Sequence, residues 1–210
     1  MESLGYYLTH PQAIIYAVAT ALLYPVLIAE VLALVWCIFE AGRFTVELVK
    51  RGRKRSLDKL RISARAAQSA QAEGKPQEAI EHLKHGLRAG RYGIRFASRL
   101  APDLLNRVEL LKLLNDTELE AARRLERTRV LVRIGPMLGL MGTLIPISPA
   151  LVALAQGDVQ TLADNLVIAF STTVVGLLIG GIAYFVSTVR DRLYTQDVSD
   201  IEYALELLEV

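Results

Sequence analysis

Residues Ile134–Val189 read IGPMLGLMGTLIPISPALVALAQGDVQTLADNLVIAFSTTVVGLLIGGIAYFVSTV, and this stretch holds none of the chain's 24 Lys and Arg residues. It contains two apolar runs, Val132–Ala155 and Leu162–Val189, separated by Gln156–Thr161 with a Gly157-Asp158 turn signal. Each run exceeds the roughly 20 residues an α-helix needs to cross hydrocarbon. The pair therefore reads as a transmembrane hairpin.

The first 42 residues form a second long zone without Lys or Arg. Within it, Ala13–Phe39 is interrupted by one acidic or basic side chain, Glu30. A secretory signal peptide is the competing reading, but the run lacks a positive leader, is too long, and is followed by no Ala-x-Ala site. A retained first span is expected. The composition agrees, because 52% hydrophobic with 22% charged residues and a mean hydropathy of +0.33 describe a chain split into greasy and charged parts. Cations near span ends stay in the cytoplasm. They lie at Arg43–Arg55 after the first span, Arg123–Arg133 before the second, and at Arg190 and Arg192 after the third. All three flanks put the N-terminus outside and the C-terminus inside a cytoplasmic (inner) membrane. Tyr6, Tyr7 and Tyr16 toward the outer end and Trp36 toward the inner end suit interfacial anchors.

The expected fold class is all-α: an integral membrane protein with three transmembrane helices and long helices extending into a cytoplasmic helical domain. The expected division is an external segment over 1–12, spans over 13–41, 132–155 and 162–189, a cytoplasmic domain over 42–131, an external turn over 156–161 and a cytoplasmic C-terminal helix over 190–210. The cytoplasmic domain is rich in Ala, Leu, Arg, Glu and Gln, without alternating β-branched runs. Gly74-Lys75-Pro76 and Gly90 mark turns. One helix is expected to run from the membrane to about Glu73, a short one over Pro76–Ala89, and a long one from about Asp103 into the second span. Leu104, Val108, Leu111 and Leu119 suggest its packing face.

Several chemistries find no footing. Cys37 is the only cysteine, so no intrachain disulfide forms, and it reads as a small buried apolar residue. His82 and His85 lack a third ligand nearby and read as a solvated surface. No metal site, cofactor site or catalytic set of nucleophile, base and orienter is evident, and no phosphate loop, so an enzyme is not expected. The Lys50–Arg55 cluster reads as a topology anchor or a contact for membrane lipids rather than for nucleic acid, since acidic residues hold the net charge to +2.

The hairpin carries the informative residues. Gly135, Gly139, Gly142, Pro146, Ala150 and Ala153 recur every three or four positions and form a strip of small side chains. Ala169, Thr173, Gly176, Gly180, Ala183 and Ser187 do the same in the third span, with Val167, Phe170, Val174, Leu178 and Phe185 on other sides. Small faces permit close packing, either against other helices or within the chain. Hydroxyls lie at mid-depth at Thr143, Ser148, Ser171, Thr172 and Thr173. Pro146 and Pro149 free the carbonyls of Gly142 and Ile145. Freed backbone groups in a membrane need another donor or a wet interior, so these residues imply a polar track; the competing reading bonds each hydroxyl back to its own helix. Glu30 is a candidate intramembrane acid, sharing a face with Val26, Ala33 and Cys37.

Gly135-Pro136-Met137-Leu138-Gly139-Leu140-Met141-Gly142-Thr143, followed by Ala169-Phe170-Ser171-Thr172-Thr173-Val174-Val175-Gly176-Leu177, resembles the paired signature of the MotA/TolQ/ExbB proton-channel family. The three-span layout looks like its TolQ and ExbB branch rather than four-span MotA. The resemblance implies a homopentamer around a dimer of a single-span partner similar to ExbD, TolR or MotB, whose transmembrane Asp carries protons. It implies that Thr143 and Thr173 line the route; from the clustered hydroxyls and small strips, Thr172, Ser171 and Ser148 are expected as further lining and Gly135, Pro136, Gly139, Gly142, Pro146, Pro149, Gly176 and Gly180 as setting packing and pore shape. Ile168 stands where ExbB-like chains carry a glutamate. The expected function is a proton-channel subunit of an ion-driven membrane motor; the alternative is a membrane scaffold or signalling protein without ion conduction.

Overall fold

The computed structural model describes residues 11–51, 57–101 and 106–208. Every regular element among them is helical: α1 (Pro11–Ala21), α2 (Leu23–Arg51), α3 (Leu57–Ala72), α4 (Pro76–Gly86), a 3₁₀ turn (Leu87–Ala89), α5 (Arg91–Arg99), α6 (Arg107–Ala155) and α7 (Val159–Glu206). Three helical stretches, Ile14–Val49, Arg107–Ala155 and Val159–Glu206, are long and apolar enough to cross a membrane.

Local chemistry sets the helix boundaries. Pro25 has no N–H to offer the Ala21 carbonyl, and the helix breaks at Leu22 between α1 and α2. After α3 the chain enters the left-handed region at Gly74 (φ 73°). There Lys75 N–H donates to the Ala70 carbonyl (2.9 Å) and Gly74 N–H to that of Gln71 (3.0 Å), the paired closure that only a residue without Cβ makes cheaply. Pro76 then opens α4. The same closure ends α6: Gly157 sits at φ 74°, Asp158 N–H donates to the Ala153 carbonyl (2.9 Å), and Gly157 N–H to that of Leu154 (3.1 Å). Asp158 accepts from Thr161 N–H at 3.0 Å, which starts α7 at Val159. The connection expected over Gln156–Thr161 thus shrinks to Gln156–Asp158. Pro136, Pro146 and Pro149 all lie inside the unbroken α6.

The chain forms two compact units, one of residues 1–41 and 128–185, the other of residues 42–127 and 186–210. In the first, α2 buries Val26, Glu30, Ala33 and Cys37, the face expected from their spacing. Cys37 Sγ donates to the Ile179 carbonyl (3.7 Å), and Ala33, Cys37, Leu131, Ile179 and Ala183 form a small core. The small strip of α6, from Gly135 to Ala153, is buried along its whole length, and Met137, Leu140 and Leu144 point outward. On α7, Val167, Phe170, Val174, Leu178 and Phe185 are exposed, also as expected.

The second unit is built on Ala-rich packing. Leu60, Ala64, Ala67 and Ala70 of α3 meet Ala79, Ile80 and Leu83 of α4, joined by Phe96 and Ala97 of α5, Leu110 of α6, and Ile201, Ala204 and Leu205 of α7. Helix α5 was not expected from the sequence, because only Gly90 was read there, as a turn. The expected packing face of α6 also needs correction: Val108 is 70% exposed, with Leu111 and Leu119 likewise outside. The buried face carries Leu110, Thr117, Ala121 and Leu125. With apolar residues on both sides of the helix, spacing did not decide which side the unit covers. Leu104, Asp103, Tyr6, Tyr7 and Arg53–Arg55 lie outside the described residues.

A buried polar cluster also lies in this unit. Arg190, fully buried, approaches Glu47 (3.6 Å) and stacks over Phe44 (5.8 Å to the ring centre). Tyr194 receives a hydrogen bond from Arg124 (3.0 Å) and donates to Glu47 (3.4 Å). Asp197 pairs with Arg51 (2.6 Å) and accepts from Tyr92 N–H at the start of α5 (3.1 Å). The carboxylate thus sits on the positive end of that helix. Burial pushes the Tyr92 phenol up to about 12, with Tyr194 edge-on beside it at 4.8 Å between ring centres.

Candidate functional site

The site lies in the first unit, where α6 and α7 approach until their backbones touch. A Cβ built on Gly176 would meet Gly135 O at 2.6 Å, Gly139 Cα at 2.7 Å and Gly139 N at 2.9 Å. One on Gly135 would meet Gly176 O and Gly180 N, each at 2.9 Å, and one on Gly180 would strike the Pro136 ring at 2.8 Å. Only glycine fits at these crossings. Of the two readings open to the small faces, the structure realises packing within the chain for these glycines.

This approach brings two hydroxyls together. Thr143 and Thr173 share a hydrogen bond across the hairpin, 30 residues apart in sequence. Each also reaches its own helix: Thr143 Oγ1 lies 2.7 Å from the Gly139 carbonyl and Thr173 Oγ1 3.2 Å from the Ala169 carbonyl. Two hydroxyl protons therefore face three acceptors, and lone pairs remain for an outside donor. Both side chains are half-buried in the single chain, so the pair has an open edge.

The other hydroxyls are placed differently. Thr172 is buried against Gly142, whose hypothetical Cβ would lie 2.6 Å from Thr172 Cβ, and it donates to the Ala169 carbonyl (2.9 Å). Ser171 is exposed, donates to the Val167 carbonyl (2.7 Å), and stands about 200° round the helix from Thr173. Ser148 is half-buried and about 140° round α6 from Thr143. The structure thus joins Thr143 with Thr173, keeps Thr172 at their side, and does not bring Ser171 or Ser148 to them. Pro146 is buried and Pro149 half-buried on α6.

Glu30 completes the polar inventory of the unit. It is 3% exposed, its Oε1 has no hydrogen-bond partner among the described residues, and its carboxyl lies beside the Gly176 amide. Among the described residues no group of three or more His, Cys, Asp or Glu could hold a metal ion. His82 and His85 are exposed on α4.

Residues 65–203 match the family model described as the MotA/TolQ/ExbB proton channel family. The chain belongs to this family. No curated protein and no solved structure matches it. Family membership and three apolar helices make it a multi-pass membrane protein with a general proton-channel role, in a channel family rather than an enzyme family and one that works with single-span partners. The match includes the Thr143–Thr173 pair and every glycine of the hairpin crossing, while Glu30 precedes it.

Sequence reasoning missed the buried cluster of Glu47, Arg51, Arg190, Tyr194 and Asp197. A signal was available: Arg190, Tyr194 and Asp197 follow at i, i+4 and i+7 and so share one face of α7.

Proposed function

We propose that this chain is the channel-forming subunit of a proton-driven motor, in which the Thr143–Thr173 pair lines the route of the proton. The observation that carries this reading is the placement of the two hydroxyls: a glycine-on-glycine crossing holds them together at the half-open edge of an otherwise apolar hairpin. Threonine hydroxyls accept and donate hydrogen bonds but do not titrate near neutral pH. The pair can pass or position a proton, and a carboxyl must hold it.

In this reading the carboxyl is a transmembrane Asp on a single-span partner similar to ExbD, TolR or MotB. Five copies of the chain surround a dimer of that partner, in the manner of the three-span TolQ and ExbB branch. The protein sits in the cytoplasmic membrane with its N-terminus and the Gln156–Asp158 turn outside, and residues 42–131 and the C-terminal helix inside. Protonation neutralises the partner's Asp, lets it pass the Thr143–Thr173 ring, and permits release to the cytoplasm, turning or rocking one set of subunits against the other. The work is delivered to an envelope or surface process through the partner's external part.

Proton flux into liposomes, measured with a pH-sensitive dye, tests this on the chain co-purified with its partner from native membranes. Thr143→Val and Thr173→Val keep shape and remove a hydroxyl each. The expected result is intact assembly with flux reduced at least tenfold. Unchanged flux in both variants refutes the route, and absence of flux in the wild-type complex favours a scaffold instead.

A further inference from the structure

The hairpin's hydroxyls need an acid, and the chain has one of its own in the same unit. Cys37 of α2 reaches Ile179 of α7, while Glu30, seven residues earlier on α2, lies beside Gly176. The two helices therefore run the same way past each other. Gly176 follows Thr173 by three residues, about 5 Å along the axis. The Gly176 amide beside the Glu30 carboxyl thus lies about one helical turn along α7 from Thr173 of the hydroxyl pair.

Its surroundings define what it can bind. Residues 134–155 of α6 contain no ionisable side chain, and residues 165–189 of α7 contain only Tyr184, which is 63% exposed. On α2 itself the titratable group of the buried face is Cys37, two turns away. The cations of this unit on α6, Arg129 and Arg133, stand at exposed positions, whereas Glu30 is buried. A bare carboxylate buried without a cation is costly, and a proton removes that charge. No group of three ligands accompanies it, so a metal ion is a poor fit.

We propose that Glu30 is a proton-binding site carried by this chain itself, loaded and unloaded beside the Thr143–Thr173 pair during turnover. This deepens the channel reading and rests on it for its place in the cycle. On unloading, the Glu30 O–H bond breaks and the proton passes to a water bridging toward Thr173. Glu30 is left as a carboxylate until a proton from the other side restores the acid. The Gly176 amide beside Glu30 belongs to the same residue whose Cβ would strike Gly135 and Gly139 of α6, so the acid and the hairpin crossing meet at one position. Each subunit then contributes an acid of its own, in addition to any acid on a partner helix.

Two measurements test this on the full chain. In native membrane vesicles, dicyclohexylcarbodiimide, which attacks protonated carboxyls in apolar surroundings, should modify Glu30, as read by mass spectrometry, and modification should fall as pH rises. In the liposome assay, Glu30→Gln, which keeps the shape and hydrogen-bonding capacity, should lower flux at least tenfold, and Glu30→Asp should restore part of it. Wild-type flux in Glu30→Gln, or no modification of Glu30 at any pH, overturns the proposal. If Glu30→Gln fails to assemble, the carbodiimide result on the wild-type chain decides alone. Unchanged flux in the threonine variants would sink the route through the hydroxyls and leave a modified Glu30 standing, so the two failures are separable.

Discussion

Replacing Gly176 by Ala should open the hairpin, and the glycine beside it in space supplies the scale. The new Cβ would lie 2.6 to 2.9 Å from three atoms of Gly135 and Gly139, all of them backbone or Cα. None can rotate away. Restoring ordinary contact near 3.5 Å requires the two helices to part by about 0.8 Å, and overpacking of this kind costs about 1–3 kcal/mol. The same displacement stretches the hydrogen bond between Thr143 and Thr173, which lies one turn away. A control exists on the same helix, since a Cβ on Gly181 would meet nothing within 4 Å. Gly139→Ala is intermediate, with its nearest contacts at 3.1 and 3.2 Å.

The assay is thermal unfolding of the full chain in detergent, paired with proton flux in liposomes. Gly181→Ala should match wild type in both. Gly139→Ala should lose a little of each, and Gly176→Ala should melt several degrees lower, at roughly 2–4 °C per kcal/mol for a chain of this size, with flux nearly abolished. If Gly176→Ala melts and conducts like Gly181→Ala, the helices are not locked by backbone contact and the hydroxyl pair is not held by the glycines.

In the second unit, a Cβ on Gly90 would fall 2.2 Å from Asp197 Oδ1, so Gly90→Ala should displace that carboxylate from Arg51 and the Tyr92 amide. Breaking a buried pair costs about 3–5 kcal/mol, and protease resistance of residues 42–127 should fall accordingly. Tyr92 OH is buried without a hydrogen-bond partner among the described residues, so Tyr92→Phe should be neutral or mildly stabilising by thermal melt. Its phenol is raised to about 12 by burial, so the group leaves stability unchanged below the ordinary tyrosine value near 10 and lowers it as pH rises from there through about 12. The wild-type minus Tyr92→Phe absorbance titration should show that late ionisation. At the α6–α7 turn, the Thr161 hydroxyl and amide hold the Asp158 carboxyl below its ordinary range. Its stabilisation is present above the ordinary carboxylate value and lost as pH falls through the lowered one; Asp158→Asn should flatten the acid limb of hydrogen exchange at the turn.

The spans were legible because lipid enforces a simple code: long cation-free runs, with cations at their inner ends. The buried faces of α2 and α7 were legible for a related reason, since Glu30 with Cys37, and Gly176 with Gly180, recur at helical spacing among bulky residues that point outward. The second unit gave less away. Val108, Leu111 and Leu119 are as apolar as Leu110 and Leu125, and the choice between them depends on partners contributed by distant segments such as Ile201 and Leu205. Helix α5 escaped notice because nine residues from Arg91 to Arg99 with three arginines look like a solvated link, although Tyr92 and Phe96 are fully buried one turn apart. Among the hydroxyls, composition could not separate Thr173 from Ser171. The two residues stand on opposite sides of α7, and only the position of α6 decides which of them meets a partner.

The same geometry separates two duties that the motif alone runs together. Glycines at 135, 139, 176 and 180 fix the distance between α6 and α7, and with it whether two hydroxyls can share a proton. They also fix what else can reach the crossing, because Gly176 presents bare backbone to the Glu30 side chain of α2. A residue larger than glycine there would harm packing and proton handling together, whereas Thr143→Val or Glu30→Gln touches proton handling alone. A variant set that splits melting temperature from flux along this line is therefore more informative than loss of activity, since loss of activity follows from damage to either duty.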